Sequence, residues 1–288
     1  MTAKLGIIAG RGPLPRTIAQ FCIDSGRPFQ VICLEGQAEA SLFDGLDHMA
    51  FRLGAAGAML KWLRDGGVEE LVMAGAVRRP SLSELKPDWR AAKFFAKFGA
   101  KALGDDGLLS AVIAELEKEG FKLVAVDELL LNLSARAETY GDVTPDESAW
   151  SDIRHGIRIA RGLGELDVGQ GVVVQQGLIL AAEAIEGTDA MIARAGTLQR
   201  DGAGGVLVKV KKPNQERRAD LPTIGVGTVR QVAESGLRGI AIEAGSALVI
   251  DPDGVREIAD ERGVFVVGVE VDPDTGQPRK STQTSPAR

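Results

Sequence analysis

Lys4-Leu5-Gly6-Ile7-Ile8-Ala9, followed by Gly10-Arg11-Gly12-Pro13-Leu14-Pro15, is an apolar strand that runs into a glycine turn and a helix start. Such a run opens a βαβ unit, because a buried parallel strand needs a turn and a crossover helix to return to its sheet. Outward from it the alternation continues. Arg16–Asp24 reads as helix, Phe29–Leu34 as strand, Ala55–Arg64 as helix and Glu70–Ala74 as strand. Leu108, Leu109, Val112, Ile113 and Leu116 share one face of a helix over Leu108–Glu119, and Phe121–Val126 reads as a closing strand. The pattern predicts an α/β fold whose first domain, residues 1–134, is Rossmann-like with a mostly parallel sheet.

The apolar pattern lapses in Ala-Glu-Thr-Tyr-Gly-Asp-Val-Thr-Pro-Asp-Glu, so a linker is expected over 135–147. Apolar strands resume at Val172–Val174, Gly205–Val210, Ile240–Ile242, Ala247–Ile250 and Val264–Val269. They predict a separate second α/β domain over 148–271. Residues 272–288 lack apolar periodicity and are rich in Pro, Thr, Ser and Gln, which reads as a disordered tail.

Composition excludes several functions. A length of 288 residues suits two domains, and a net charge of −6 with 5% aromatic residues argues against nucleic acid as a partner. No window holds the roughly 18 apolar residues of a membrane span, and the N-terminus lacks a signal-peptide layout. Cys22 and Cys33 read as small core residues, which makes a reducing cytoplasm the expected location. His48 and His155 are the only histidines, too few for a His-rich zinc site, so any metal is expected to be a hard, oxygen-seeking ion.

Several stretches carry the chemistry. In the first turn, Gly10, Gly12, Pro13 and Leu14 stand where backbone amides can meet a phosphate; alternatively the glycines merely make a tight turn. Pro15 replaces the third glycine of a dinucleotide fingerprint, and Glu35 could stand in for its ribose-binding acid. Gly75, Arg78 and Arg79 follow the Glu70–Ala74 strand, at the strand end where open α/β sheets bind ligands. Lys86–Lys101 is basic, aromatic and amphipathic, as suits an anionic membrane surface, an acyl-chain pocket or an ordinary packed helix. Asp105 and Asp106 precede a helix and read first as caps.

Glu183, Glu186 and Asp189 fall within an otherwise apolar stretch, with Thr188 or Asp189 a possible cap. Charges in such a setting need partners or a metal. Lys209, Lys211, Lys212, Arg217 and Arg218 then line a cationic stretch that ends at Asp220-Leu221-Pro222. Taken alone, that charge run reads as a solvated loop.

Ala-Gly-Ala-Val-Arg-Arg-Pro at 74–80, Glu-Ala-Ile-Glu-Gly-Thr-Asp-Ala-Met at 183–191 and Lys-Pro-Asn-Gln-Glu-Arg-Arg-Ala-Asp-Leu-Pro-Thr-Ile-Gly at 212–225 occur in that order. Together they resemble the LpxI family of UDP-2,3-diacylglucosamine pyrophosphatases, over nearly the whole chain to about Val269. Glu216, Ala219 and Val226 depart from its usual pattern of Asp, an aromatic and Pro. The resemblance implies Mg²⁺-dependent hydrolysis of UDP-2,3-diacylglucosamine to UMP and 2,3-diacylglucosamine 1-phosphate (lipid X) in lipid A biosynthesis. It also implies ligand in an interdomain cleft.

The residue chemistry is compatible with that. A pyrophosphate repels nucleophiles until cations neutralise its oxygens. Arg78, Arg79, Lys209, Lys211 and Arg217 are available to bind it, together with Gly10, Gly12, Pro13, Leu14, Gly75, Asp105, Asp106 and Thr188. Asp220, Asp189 and Glu183 are the candidate catalytic carboxylates, with Asp220 and Asp189 expected to hold Mg²⁺, or Mn²⁺ in its place. A diacylated substrate also implies transient contact of a cytoplasmic enzyme with the inner-membrane surface. Two rival readings share these residues: a dinucleotide-dependent oxidoreductase, from Gly10-x-Gly12 and Glu35, and a non-catalytic lipid or nucleotide sensor.

Overall fold

The computed structural model describes residues 2–78, 86–98, 105–213, 217–218, 221–272 and 277–279. The chain forms two compact units, Met1–Leu131 with Glu216–Asp220, and Asn132–Gln215 with Leu221–Arg288.

In the first unit the order is β1 (Leu5–Ala9), α1 (Leu14–Ser25), β2 (Phe29–Leu34), β3 (His48–Phe51), α2 (Ala56–Asp65), β4 (Glu70–Ala74), α3 (Trp89–Phe98), α4 (Asp105–Lys118), β5 (Lys122–Leu123) and the short α5 (Val126–Leu129). The sheet runs β3-β2-β1-β4-β5, and every pairing in it is parallel. This is the Rossmann-like arrangement expected from the sequence. Leu5, Ile7 and Ala9 are wholly buried, as a central strand covered on both faces must be. Leu14, Ile18, Ala19 and Cys22 form the buried stripe of α1. That helix stops at Gly26, whose φ of 65° lets its amide reach back to Cys22 and Ile23.

Asp88 sets the spacing of two helices. Its carboxylate accepts from Gly57 in the first turn of α2 at 2.7 Å and from Ala91 in α3 at 2.8 Å. The strand expected over Phe121–Val126 is shorter. Lys122 and Leu123 pair with Glu70 and Leu71, and the chain then turns into α5. Acidic Asp127 and Glu128 sit in the first turn of that helix, where its exposed amides favour negative charge.

The second unit follows with β6 (Thr139–Tyr140), α6 (Glu147–Glu165), β7 (Gly171–Gln175), β8 (Leu178–Ala182), α7 (Gly187–Gly196), β9 (Val206–Lys209), β10 (Thr223–Gly225), α8 (Val226–Glu234), β11 (Gly239–Glu243), β12 (Leu248–Ile250), α9 (Pro252–Arg262), β13 (Phe265–Val271) and β14 (Pro278–Arg279). Its main sheet is mixed. β9, β11 and β13 are parallel, β7 and β8 extend one side antiparallel, and β6 and β14 pair antiparallel with β13. β10 and β12 form a small parallel sheet of their own. Alternate strand residues enter opposite cores. Val172, Val174, Val206 and Val208 pack with Ile153 and Ile157 of α6, whereas Val173, Leu207, Ile240 and Ile242 pack with Met191, Val229 and Val255 on the far face.

The stretch expected to be a linker over 135–147 is therefore partly built into the second unit, with Tyr140 registered opposite Val266. Helix α6 went unread in the sequence. Its signals are Asp146, which caps the helix by accepting from Ala149 at 2.7 Å, and the buried stripe Ala149, Ile153, Gly156, Ile157, Ala160 and Gly164. Of the expected tail, 273–276 and 280–288 lie outside the described residues, while Pro278 pairs with Val271. Among the described residues no helix is long and apolar enough to cross a membrane.

Candidate active site

Two constellations lie at the C-terminal ends of strands, one in each unit. In the first, β1 and β4 are the neighbours at which the strand order reverses, so their ends frame a crevice. The floor of that crevice is backbone against backbone. Gly10 donates to the Ala74 carbonyl at 2.8 Å, Arg11 donates to Ala76 at 2.8 Å, and Ala76 returns a bond to Arg11 at 3.1 Å. A Cβ on Gly10 would stand 2.6 Å from the Ala76 oxygen, and one on Gly75 2.5 Å from the Arg11 oxygen. Both positions therefore require glycine.

This geometry alters the phosphate reading of the turn. The amides of Gly10 and Arg11 are already engaged, and Pro13 and Pro15 have none. Gly12, Leu14 and Arg16 supply the remaining amides at the start of α1. A cleft of about 430 Å³ opens beside them, lined by Arg11, Gly12, Pro13, Gln37, Glu39 and Leu42. Its acid is Glu39, whereas Glu35 is exposed and does not line it. Gln37, unread in the sequence, holds the chain that leaves β4: its side-chain Oε1 accepts from the Arg78 amide at 2.9 Å. Arg79 lies outside the described residues. Asp105 and Asp106 stand inside the first turn of α4 rather than ahead of it.

The second constellation is buried. Lys209 ends β9 and is 4% exposed; Glu183 follows β8 and is 7% exposed. The Lys209 ammonium donates to the Thr188 hydroxyl at 2.7 Å, and that hydroxyl donates to Glu183 Oε1 at 2.5 Å. A threonine hydroxyl has one proton and can accept another's, so it relays charge between the two ions. Thr188 therefore belongs to this cluster and does not cap α7, whose N-cap is Glu186. Glu183 Oε2 is buried and has no hydrogen-bond partner among the described residues. It fits because Gly171 lacks a side chain: a Cβ there would lie 2.8 Å from that oxygen.

The other carboxylates read from this stretch are placed differently. Asp189 is exposed in the first turn of α7, and its backbone carbonyl accepts from Gln231 at 2.7 Å. Glu186 pairs with Arg194 at 2.6 Å. Backbone donors at the helix start and that guanidinium hold its carboxyl below the usual range. Among the described residues no three His, Cys, Asp or Glu side chains gather closely enough to hold a metal ion, and Asp220 lies outside those residues.

The root of the cationic loop is fixed from below. The Lys211 amide donates to Glu243 Oε2 at 3.0 Å, and Lys212, itself buried, reaches Asp167 at 2.8 Å. Burial pushes the Glu243 carboxyl up, against the lowering effect of the Lys211 amide. Glu243 was not singled out in the sequence; its signal is a carboxylate ending the apolar run Gly-Ile-Ala-Ile at 239–242. Beyond the root, Arg217 is paired with Asp127 and Arg218 with Glu117.

A Rossmann-ordered unit and a mixed-sheet unit with a buried ammonium–hydroxyl–carboxylate relay define a two-domain α/β protein. The LpxI N-terminal domain matches residues 4–133 and the LpxI C-terminal domain residues 136–267. The chain belongs to the LpxI family. The Caulobacter vibrioides protein named UDP-2,3-diacylglucosamine pyrophosphatase LpxI is 43% identical over 276 residues, which is 93% of this chain and 98% of its own length. Solved structures overlap more weakly. Bordetella bronchiseptica WbmG in complex with NAD and UDP gives a TM-score of 0.29 at 16% identity, covering 42% of this chain and 36% of its own. N5-carboxyaminoimidazole synthase of Aspergillus clavatus gives 0.24 at 10% identity, covering 69% and 44%.

Proposed function

We propose that this protein hydrolyses the pyrophosphate of UDP-2,3-diacylglucosamine to UMP and 2,3-diacylglucosamine 1-phosphate in lipid A biosynthesis. Family membership and the 43% identity to the Caulobacter vibrioides pyrophosphatase support the substrate. The observation that carries the chemistry is the relay from Lys209 through Thr188 to Glu183. Water adds to one phosphorus, the bridging oxygen leaves with its bonding electrons, and charge grows on the oxygens of both phosphates. Lys209 neutralises that charge from a buried position, where its field is poorly screened. Asp220 orients the attacking water and takes its proton.

A divalent Mg²⁺, or Mn²⁺, belongs to this reading. The test is the donor set. Glu183 Oε2 is a buried, unpartnered carboxylate oxygen, the hard donor that such a cation takes. Asp220 and Asp189 are proposed as the cation's ligands, and Lys211, Arg78 and Arg79 as additional contacts to phosphate oxygens. When bound, the ion polarises the phosphoryl oxygens and acidifies the attacking water.

The experiment is release of UMP from UDP-2,3-diacylglucosamine by the purified protein, after chelation and then with Mg²⁺, Mn²⁺ or Zn²⁺ added singly. Turnover that returns with Mg²⁺ or Mn²⁺ is expected. No UMP under any condition would overturn the function, and full activity after chelation would overturn the metal requirement alone.

A further inference from the structure

Arg217 stands three residues before Asp220 in a stretch whose cations read, from sequence, as ligands for the pyrophosphate. Its charge is already engaged. Nε donates to Asp127 Oδ2 at 2.9 Å, and Nη2 reaches the same oxygen. The partners are unequal: the Asp127 side chain is 5% exposed and that of Arg217 53%. A carboxylate buried to that degree carries a heavy desolvation cost unless a cation meets it. The other oxygen, Oδ1, is buried with no hydrogen-bond partner among the described residues, so Arg217 is what compensates the charge. One residue on, Arg218 pairs with Glu117 at 2.5 Å.

We propose that Asp127 is a positioning residue, which seats Arg217 in a segment that turnover depends on. The inference rests on the proposed role of Asp220, and it moves Arg217 from pyrophosphate contact to anchorage. Asp127 lies in α5 of the first unit, ninety residues away in sequence, and touches neither Glu183 nor Lys209 in any described hydrogen bond. Its effect on turnover therefore runs through Arg217. A catalytic group displaced by about 1 Å loses orders of magnitude in rate, so loss of an anchor three residues away in sequence is expected to reach turnover.

The test is a charge-swap set, Asp127→Asn, Asp127→Arg, Arg217→Asp and the double variant Asp127→Arg/Arg217→Asp, with Asp220→Ala alongside. Two readouts are used: kcat for UDP-2,3-diacylglucosamine, and amide hydrogen exchange across 211–224 in the full chain. Each single variant is expected to lower kcat at least about tenfold with KM little changed, and to speed exchange across that segment about tenfold. The double variant is expected to recover most of both, which a merely structural defect would not do. Failure of the double variant to restore either readout overturns the proposal, as does unchanged exchange in Asp127→Asn. A selective rise in KM for Arg217→Asp assigns Arg217 to substrate instead, and also overturns it. If Asp220→Ala keeps full turnover, the reading of Asp220 fails, and the exchange data still decide whether Asp127 anchors the segment.

Discussion

Lys209 is joined to Thr188 by a 2.7 Å hydrogen bond at a place where the lysine is almost wholly buried. Removing the hydroxyl leaves an ammonium and a carboxylate in the interior without their relay. Thr188→Val, nearly isosteric, is expected to cost about 1–3 kcal/mol of stability and to lower kcat. Thr188→Ser keeps the hydroxyl and is expected to stay within a few-fold of the parent. Melting temperature and kcat for both variants decide the matter; equal behaviour of Val and Ser would remove the hydroxyl from the chemistry.

Asp220 is expected to be the most consequential single carboxylate. Pro222 restricts Leu221 to extended geometry, and the Pro222 carbonyl accepts from Leu248 at 2.8 Å, so the chain beyond it has a fixed exit. Asp220→Ala is expected to lower kcat at least about a hundredfold, the scale of losing an acid–base group, while substrate affinity persists. A kcat within a few-fold of the parent would transfer the role to Asp189 or Glu183.

Stability is expected to fall in acid partly through Glu70. Lys122 at 2.8 Å and Arg27 at 2.5 Å hold its carboxyl below the usual range, Lys122 foremost. A depressed carboxylate contributes stability that is complete above its unfolded pKa and is lost as pH falls through the folded value. Glu70→Gln is therefore expected to be less stable than the parent above about pH 5, with the gap closing below about pH 4. Urea unfolding of both proteins at several pH values measures it. A gap independent of pH would exclude the ion pairs as its source.

Phe94 and Phe95 meet edge to face at 5.4 Å in α3 and are each half-buried, in a helix that begins at Trp89, itself 86% exposed. This helix is the proposed contact for acyl chains or the inner-membrane surface. Phe94→Ser/Phe95→Ser is expected to raise KM for a long-chain substrate more than for a short-chain analogue. Equal changes would indicate a packing defect.

Much of the first unit was legible because its central strands are short, mostly apolar runs separated by helices of clear period; Phe29–Leu34 and Glu70–Ala74 coincide with their sequence reading. His48–Phe51 was not, since an edge strand with only its end residues half-buried shows no apolar run. In the second unit, β8 lay inside the apolar stretch before Glu183 but is set by a hairpin turn. Gln176 and Gly177, at φ 53° and 76°, are held there by the buried carboxylate of Asp152. Glu183, Thr188 and Lys209 were each read as functional, yet their union was not, because strand register brings Lys209 opposite Gly171 and no spacing along the chain encodes that. Glu243, Gln37 and Asp127 act on backbone or on another charge, and such partners have no motif.

The Gly10–Gly75 contact has a consequence for how ligand preference can change in this fold. The crevice floor is made of peptide groups locked to one another, and a carbon added at Gly10 or Gly75 would wedge the two strand ends apart. Selectivity at that crevice can drift only through its walls, where Glu39 and Leu42 can vary in size and charge, while Gln37 is tied to the Arg78 backbone. Recruitment of this unit to a different ligand would leave the floor untouched and appear as changes between residues 37 and 42.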